Sequence, residues 1–304
     1  IKKIYKFINF KYLTYKIFYN NKNMIENNQV INFEDKILKS SLILSSPHSG
    51  VYYPDDFFSL LKTDVSELKQ IEDSLVDELI SGNLDKKNLI LKAVWSRSVV
   101  DVNRAKNDFN YNDFEPPIEH ISSKPTKYSR SGIGVIPIKC GMGESIYNTK
   151  LSGELAKKWL DVAWTTYHQT LIELLQKAHT NFGHYILFDF HSMPSTSENL
   201  NNKIDIVLGD CHGKSIHPKC IDFLENELSK QGLKVRRNSP YSGGYITEFY
   251  GKPKENKHAI QIEINRSIYL NEKTRQKNSN FDNCKLKLNT AINNFEKNKH
   301  NLLN

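Results

Sequence analysis

Two periods of apolar residues alternate along this chain. Short apolar runs of strand length are separated by stretches in which apolar residues recur every three or four positions. Ser41–Ser46 is a compact apolar run that ends in Pro47-His48-Ser49-Gly50, which predicts a buried strand followed by a tight loop. Val65–Ile80 has helical spacing, with Leu68, Ile71, Leu75, Val76 and Leu79 on one side, and Gly82 and Asn83 are its stop signal. Leu89–Trp95 and Ser98–Asn103 read as strands, and the polar, proline-bearing stretch 105–130 reads as a long loop. Tyr147–Ala178 carries the strongest helical pattern. Further strands are predicted at Tyr185–Phe190, Ile204–Leu208, Leu233–Arg236 and Ala259–Ile264, and helices at Ile216–Leu228 and 271–300. No internal repeat is visible.

Strands alternating with helices predict an α/β fold: a mixed, mostly parallel sheet flanked by helices on both faces. In such sheets ligands bind in the crevice beyond the carboxyl ends of the strands. His48 and His191 fall just past predicted strands and Glu263 lies at the end of one, so geometry alone points to these three.

The chain has 304 residues, room for one large domain. Residues 1–23 are rich in Lys, Tyr, Phe and Asn, lack acidic residues and precede the first methionine, Met24. They are expected to be a non-native or disordered extension, with 24–304 forming a single α/β domain. The formal net charge of +8 favours an anionic partner. Basic residues are spread along the chain, and no nucleic-acid-binding motif appears, so a small anionic substrate is the expected partner. No apolar run reaches membrane-spanning length. Four cysteines in a chain of this length do not make a disulfide scaffold, which points to a reducing, cytoplasmic setting. Oligomeric state is left open.

Several residues have chemistry that their positions bring into question. Asp189 and His191 are two apart on one strand and share a face, and a buried Asp there must be paired: it orients another group or binds metal itself. Asp73 and Asp77, four apart on the expected helix, also share a face; a solvated acidic surface is the plainer reading from spacing alone. Gln261 and Glu263 face one way on their strand, where a carboxylate could act as a general base on an activated water; an ordinary polar face of an edge strand explains them equally well. Arg104 and Arg266 each end a strand in an Asn-Arg pair, and guanidinium forks bind carboxylates; a structural ion pair is the alternative. Gly243-Gly244-Tyr245 is a turn that lets backbone approach a ligand closely. No Gly-x-Ser-x-Gly elbow supports a serine hydrolase, and no helix-opening pattern supports a phosphate loop.

Taken in order, these pieces resemble the N-formylglutamate amidohydrolase family. The resemblance rests on Ser46-Pro47-His48-Ser49-Gly50, Asp73-x-x-x-Asp77, Ser96-Arg97-x-Val99-Val100-Asp101-Val102-Asn103-Arg104 and Gly132-x-Gly134-Val135-Ile136-Pro137. It continues through Tyr167-His168-x-x-Leu171, Asp189-Phe190-His191-Ser192-Met193-Pro194-Ser195, Asp205-x-Val207-Leu208-Gly209-Asp210, Gly243-Gly244-Tyr245-Ile246-Thr247 and His258-Ala259-Ile260-Gln261-Ile262-Glu263. Each piece is short, and the ordered set spans about residues 41–272.

The resemblance implies a fold similar to the zinc-dependent exopeptidases, of the phosphorylase/hydrolase-like kind. It also implies hydrolysis of N-formyl-L-glutamate to L-glutamate and formate. It further implies one divalent ion, zinc, held by His48, His191 and an acidic residue, with Glu263 as the base. Exopeptidases keep a His-x-x-Glu pair, but position 51 is Val here, so the carboxylate comes from elsewhere. Asp73, heading the Asp-x-x-x-Asp segment, is chosen over Asp77 and Glu72. Arg104, Arg130 and Arg266 are expected to hold substrate carboxylates beside Gly243, Gly244 and Tyr245, with Asp77, Asp189 and Gln261 supporting the site. A basic protein that retains the fold without catalysis, an amidohydrolase for another N-acylated substrate, and a nucleic-acid binder are the alternatives. Metal analysis with a panel of N-acyl amino acids separates them.

Overall fold

Strand β4, Tyr185–Met193, explains the architecture. Its odd-numbered side chains from 185 to 191 run Tyr, Leu, Asp, His, while Ile186, Phe188 and Phe190 point the other way, so one face is apolar as far as Phe190 and the other turns polar toward the carboxyl end. The computed structural model describes residues 30–31, 38–81, 88–140, 143–195 and 204–303. The expected extension 1–23 and the stop signal at Gly82 and Asn83 lie outside them.

Besides β4, the main sheet contains β1 (Val30–Ile31), β2 (Leu42–Ser46), β3 (Leu89–Lys92), β5 (Ile206–Gly209), β6 (Val235–Arg237) and β7 (Lys257–Asn265). Their order is β1-β3-β2-β4-β7-β5-β6. Strands β3, β2, β4 and β7 are mutually parallel, β1 is antiparallel to β3, and β5 is antiparallel to β7. The sheet is therefore mixed and mostly parallel, as the alternation of elements predicts. A two-stranded ribbon, β8 (Leu270–Asn271) with β9 (Gln276–Lys277), follows.

The helices that matter for the site are α1 (Val65–Gln70), α2 (Val76–Ile80), α3 (Thr166–Phe182), α4 (Pro218–Lys230), α5 (Tyr245–Tyr250) and α6 (Phe281–Leu303). The more apolar face of the sheet, with Leu44, Phe188, Phe190, Ile260 and Ile262, is covered by α2, α4 and α6. Phe188 and Phe295 meet there at a ring separation of 4.8 Å. The other face packs Ile43, Leu187 and Ala259 against Tyr167, Leu171, Leu174 and Leu175 of α3. Helices thus cover both faces, and no helix among the described residues is long and apolar enough to cross a membrane.

Three expected elements differ. The helix expected over 271–300 begins only at Phe281, because the chain before it forms the β8–β9 ribbon. Val65–Ile80 is not one helix: α1 stops at Gln70 and α2 starts at Val76. Between them Asp73 donates its backbone N–H to His48 O at 3.0 Å, and Leu75 adopts a left-handed conformation at φ 66°. A contact from the β2 loop overrides local helical preference, so Asp73 and Asp77 do not share a helical face. Ser98–Asn103 forms turns rather than a strand, with Val99 N–H on Ser96 O and Arg104 N–H on Asp101 O. Glu263 lies on a central strand between β4 and β5 and is buried, not on an exposed edge.

Candidate active site

The carboxyl ends of β2, β4 and β7 open into a cavity of ≈ 710 Å³. Register sets its polar floor. Asp189 pairs with Gln261 and His191 with Glu263 across β4 and β7, so four polar side chains lie on one face of two adjacent strands. His48 enters from the loop after β2, and Asp73 from the break between α1 and α2.

Three ligand atoms converge. His191 Nδ1 lies 3.1 Å from His48 Nδ1 and 3.2 Å from Asp73 Oδ2, and His48 Nδ1 lies 3.3 Å from that same oxygen. All three side chains are buried. Among the described residues this is the one group of three or more His, Cys, Asp or Glu side chains whose ligand atoms come together.

The far nitrogens decide what the near ones offer. His48 Nε2 lies 2.7 Å from Asp101 Oδ1, and His191 Nε2 lies 2.9 Å from Asp189 Oδ2. Each carboxylate accepts the Nε2–H of its histidine, so in the neutral rings both Nδ1 atoms present lone pairs to one another and to Asp73. Three acceptors facing each other repel unless positive charge lies among them. A proton on His191 supplies some: burial works to lower His191, but Asp189 and Asp73 outweigh it and hold it well above the ordinary histidine value. Burial likewise works to raise Asp73, and the two histidines outweigh it and hold that carboxyl well below the usual range. A divalent ion would satisfy the same demand. Tetrahedral zinc with ligands at ~2.0–2.1 Å has ligand-to-ligand edges of about 3.3 Å, the size of this triangle.

Supporting bonds fix each member. Ser45 Oγ donates to Asp189 Oδ1 at 2.7 Å and lies 2.6 Å from Tyr167 OH, tying the site to α3. Asp101 also accepts from Arg97 Nη2 at 2.7 Å and from the Asn103 N–H at 2.9 Å. Burial works against its charge, but Arg97 and His48 keep the carboxyl well below the usual range. Gln261 Nε2 donates to Glu263 Oε1 at 2.7 Å, and its Oε1 accepts the Gly244 N–H at 2.6 Å. The Gln261 amide is thereby oriented, and it aims Glu263. Burial pushes the Glu263 carboxyl up to about 7, with His191 opposing and Asp73 adding to the shift.

The remaining expected residues fall variously. Gly243, at φ 126°, and Gly244 line the cavity, and a Cβ on Gly244 would stand 2.4 Å from Asn103 Nδ2. Tyr245 does not line it; its ring packs by Trp164, His168 and Phe249. Arg104 lines the cavity with its guanidinium 3.9 Å over the Tyr128 ring, and donates to Ile133 O and Asn103 O. Arg266 is buried at the cavity wall and donates to Ser192 Oγ, Gln70 O, Glu72 O and Asp73 Oδ1. Arg130 is exposed and outside the lining, reaching Pro125 O at 3.4 Å. Asp77 is also outside the lining and pairs with Lys92 at 2.6 Å. Arg97, Lys127, Tyr128 and Lys139 line the cavity without having been singled out, and Asp101 is a histidine partner that the motif contained but spacing did not identify. The Asn-Arg run that holds Asp101 was its only signal.

A family model described as N-formylglutamate amidohydrolase matches residues 40–270. An N-formylglutamate deformylase of Pseudomonas putida is 30% identical over 250 residues, covering 78% of this chain and 86% of that relative. The crystal structure of N-formylglutamate amidohydrolase from Ralstonia eutropha JMP134 superposes with a TM-score of 0.80 at 30% identity, covering 87% of this chain and 96% of that one. The gene product Atu2144 from Agrobacterium tumefaciens shares the fold, with a TM-score of 0.58 at 17% identity. The match runs through every strand and loop that builds the cavity floor, and the chain belongs to the N-formylglutamate amidohydrolase family, hydrolases of linear amide bonds.

Proposed function

We propose that this protein hydrolyses the formamide bond of N-formyl-L-glutamate, yielding L-glutamate and formate, with one divalent ion, zinc, held by His48 Nδ1, His191 Nδ1 and Asp73 Oδ2. The convergence of those three acceptors, each histidine backed by its own carboxylate, carries the reading. A bound ion of this kind supplies a Lewis acid for the amide carbonyl and makes water acidic enough to attack near neutral pH.

The chain's own residues supply the rest. Glu263 lies beside His191 across the strand pair, with Oε1 engaged by Gln261. It takes the proton of the attacking water and passes it to the leaving nitrogen as the C–N bond breaks. Asp101 and Asp189 keep the imidazoles oriented. Arg97, Arg104, Lys127 and Lys139 give the cavity a cationic wall suited to the two carboxylates of the substrate.

The test joins metal analysis of the purified protein to hydrolysis of a panel of N-formyl and N-acyl amino acids. One ion per chain and preference for N-formyl-L-glutamate are expected, with His191→Ala losing both metal and turnover. Full activity in metal-free, chelator-treated protein would reject the metal. Preference for a neutral N-acyl amino acid would reject the substrate.

A further inference from the structure

The break between α1 and α2 leaves main-chain carbonyls without the amides that a continuing helix would give them. Side chains from beyond β7 meet them instead. Arg266 Nη1 donates to Gln70 O at 2.8 Å, and Tyr269 OH donates to Ser74 O at 3.1 Å. Glu72 O accepts from Arg266 Nη2 at 3.0 Å and from Arg275 Nη2 at 2.5 Å. Arg275 Nη2 also donates to Ser74 Oγ at 3.1 Å. The two residues flanking Asp73 are thus gripped by one guanidinium.

Arg275 lies in the connection between β8 and β9, past residue 270 where the family match ends. Its backbone is left-handed, at φ 58°, and its N–H donates to Asn271 O at 2.7 Å. Among the described residues, its buried Nε and Nη1 have no hydrogen-bond partner. Burying a guanidinium with unmatched N–H groups opposes stability. A clip serving stability alone would avoid that, whereas one that aims a ligand can tolerate it.

We propose that Arg275 is a positioning residue for Asp73, holding the non-helical turn so that Oδ2 faces His48 Nδ1 and His191 Nδ1; this rests on the metal reading above. Asp73 itself is held at Oδ1 by Arg266 and Ser192, at 3.2 and 2.9 Å, at its N–H by His48 O, and at its carbonyl by Ser49 Oγ at 3.0 Å, so Arg275 acts on the residues to either side of it. Without Arg275, Glu72 O keeps only Arg266 and Ser74 Oγ loses the guanidinium, so the turn around Asp73 loosens and Oδ2 is held less firmly on the triangle.

The experiment compares the intact chain with Arg275→Met, Arg275→Lys and Ser74→Ala. Zn²⁺ and Co²⁺ affinities are read by competition with a chromogenic chelator, the Co²⁺ visible spectrum reports ligand geometry, and thermal unfolding is followed in the metal-free form. Arg275→Met is expected to bind metal about 10–100-fold more weakly, with an altered Co²⁺ spectrum and little change in metal-free unfolding. Arg275→Lys should be intermediate, since one ammonium lacks the fork's reach, and Ser74→Ala should shift affinity the same way by less. If Arg275→Met does not fold, the other two variants decide the matter. Unchanged affinity and spectrum in the variants, or an affinity loss matched by equal loss of metal-free stability, overturns the role. An intact chain that binds neither ion overturns the metal reading and this proposal together, whereas an intact chain that binds while the variants bind equally overturns Arg275 alone.

Discussion

Replacing Glu263 with Gln should separate catalysis from stability and move them in opposite directions. Gln261 is oriented by the Gly244 N–H, so its Nε2 still donates to the side-chain oxygen of a glutamine at 263. The variant should fold and keep the His48–Asp73–His191 triangle, yet lack a base. General-base catalysis contributes ~10²–10⁴-fold, or about 3–5 kcal/mol of barrier at ~1.4 kcal/mol per tenfold. Turnover should therefore fall at least about a hundredfold, with metal content unchanged. Stability moves the other way. Burial raises the Glu263 carboxyl from 4.5 to about 7. The unfolded carboxyl releases its proton near 4.5, so between there and 7 the folded state binds more protons, and stability falls as pH rises. At ~1.36 kcal/mol per tenfold change in proton affinity, ionised Glu263 destabilises the metal-free fold by about 3 kcal/mol. Urea unfolding in chelator should show Glu263→Gln more stable than the parent by up to about that amount at pH 8, and the two converging near pH 4.5. Near-parental turnover would show that Glu263 is not the base. Loss of metal would make Glu263 a ligand and reopen the assignment of Asp73. Equal stability at pH 8 would show that the buried charge carries no such penalty.

Asp101→Asn removes the carboxylate that sets the His48 tautomer, and metal affinity by chelator competition should fall about 10–100-fold; an unchanged affinity would dissociate Asp101 from the site. Arg104→Lys forfeits both the fork and the flat stack on Tyr128, so KM for N-formyl-L-glutamate should rise about tenfold or more, as expected for loss of a charged hydrogen bond worth ~1.5–3 kcal/mol, with kcat less affected. An unchanged KM would remove Arg104 from substrate binding. His258 is buried, neither ring nitrogen has a hydrogen-bond partner among the described residues, and burial pulls it down to about 4. The unfolded ring takes a proton near 6.5 and the folded one does not, so stability should drop as pH falls from 6.5 toward 4. His258→Leu should lessen that acid sensitivity in urea titrations at pH 5 and 7.5, and an undiminished pH dependence would contradict the assignment.

The sheet was legible because its signal is local and redundant. The β4 run announces two buried faces by length and apolarity, and its alternation places Asp189 and His191 together before any partner is known. The parallel neighbour β7 repeats the device with Gln261 and Glu263, so two strands read independently reveal one floor. What could not be read was register. Nothing local says that residue 191 stands opposite 263 rather than 261, and that pairing puts Glu263 beside the histidine. The cationic wall was obscure for another reason. Arg97, Lys127 and Lys139 come from loops and a short helix, where no period marks the direction of a side chain.

The acidic member of the triangle shows where local reading stops. Val65–Ile80 has apolar spacing that a helix satisfies, and on a continuous helix Asp73 would share its face with Asp77. The chain instead gives up α-helical hydrogen bonds at Ile71–Leu75: the Ile71, Glu72 and Val76 amides fall back on carbonyls three residues earlier, and the other replacements are distant in sequence, His48 O for the Asp73 N–H and Arg266, Tyr269 and Arg275 for the freed carbonyls. Each such bond is worth only ~1 kcal/mol net, so no single partner breaks the helix. Together they outweigh a propensity cost of a few tenths of a kcal/mol per residue, roughly. The break is decided by side chains nearly 200 positions away, and its outcome is that Asp73 faces two histidines. The residue hardest to place from the sequence is therefore the one whose placement depends on the whole fold being assembled, and the loss of local regularity at Ile71–Leu75 is the structural mark of that dependence.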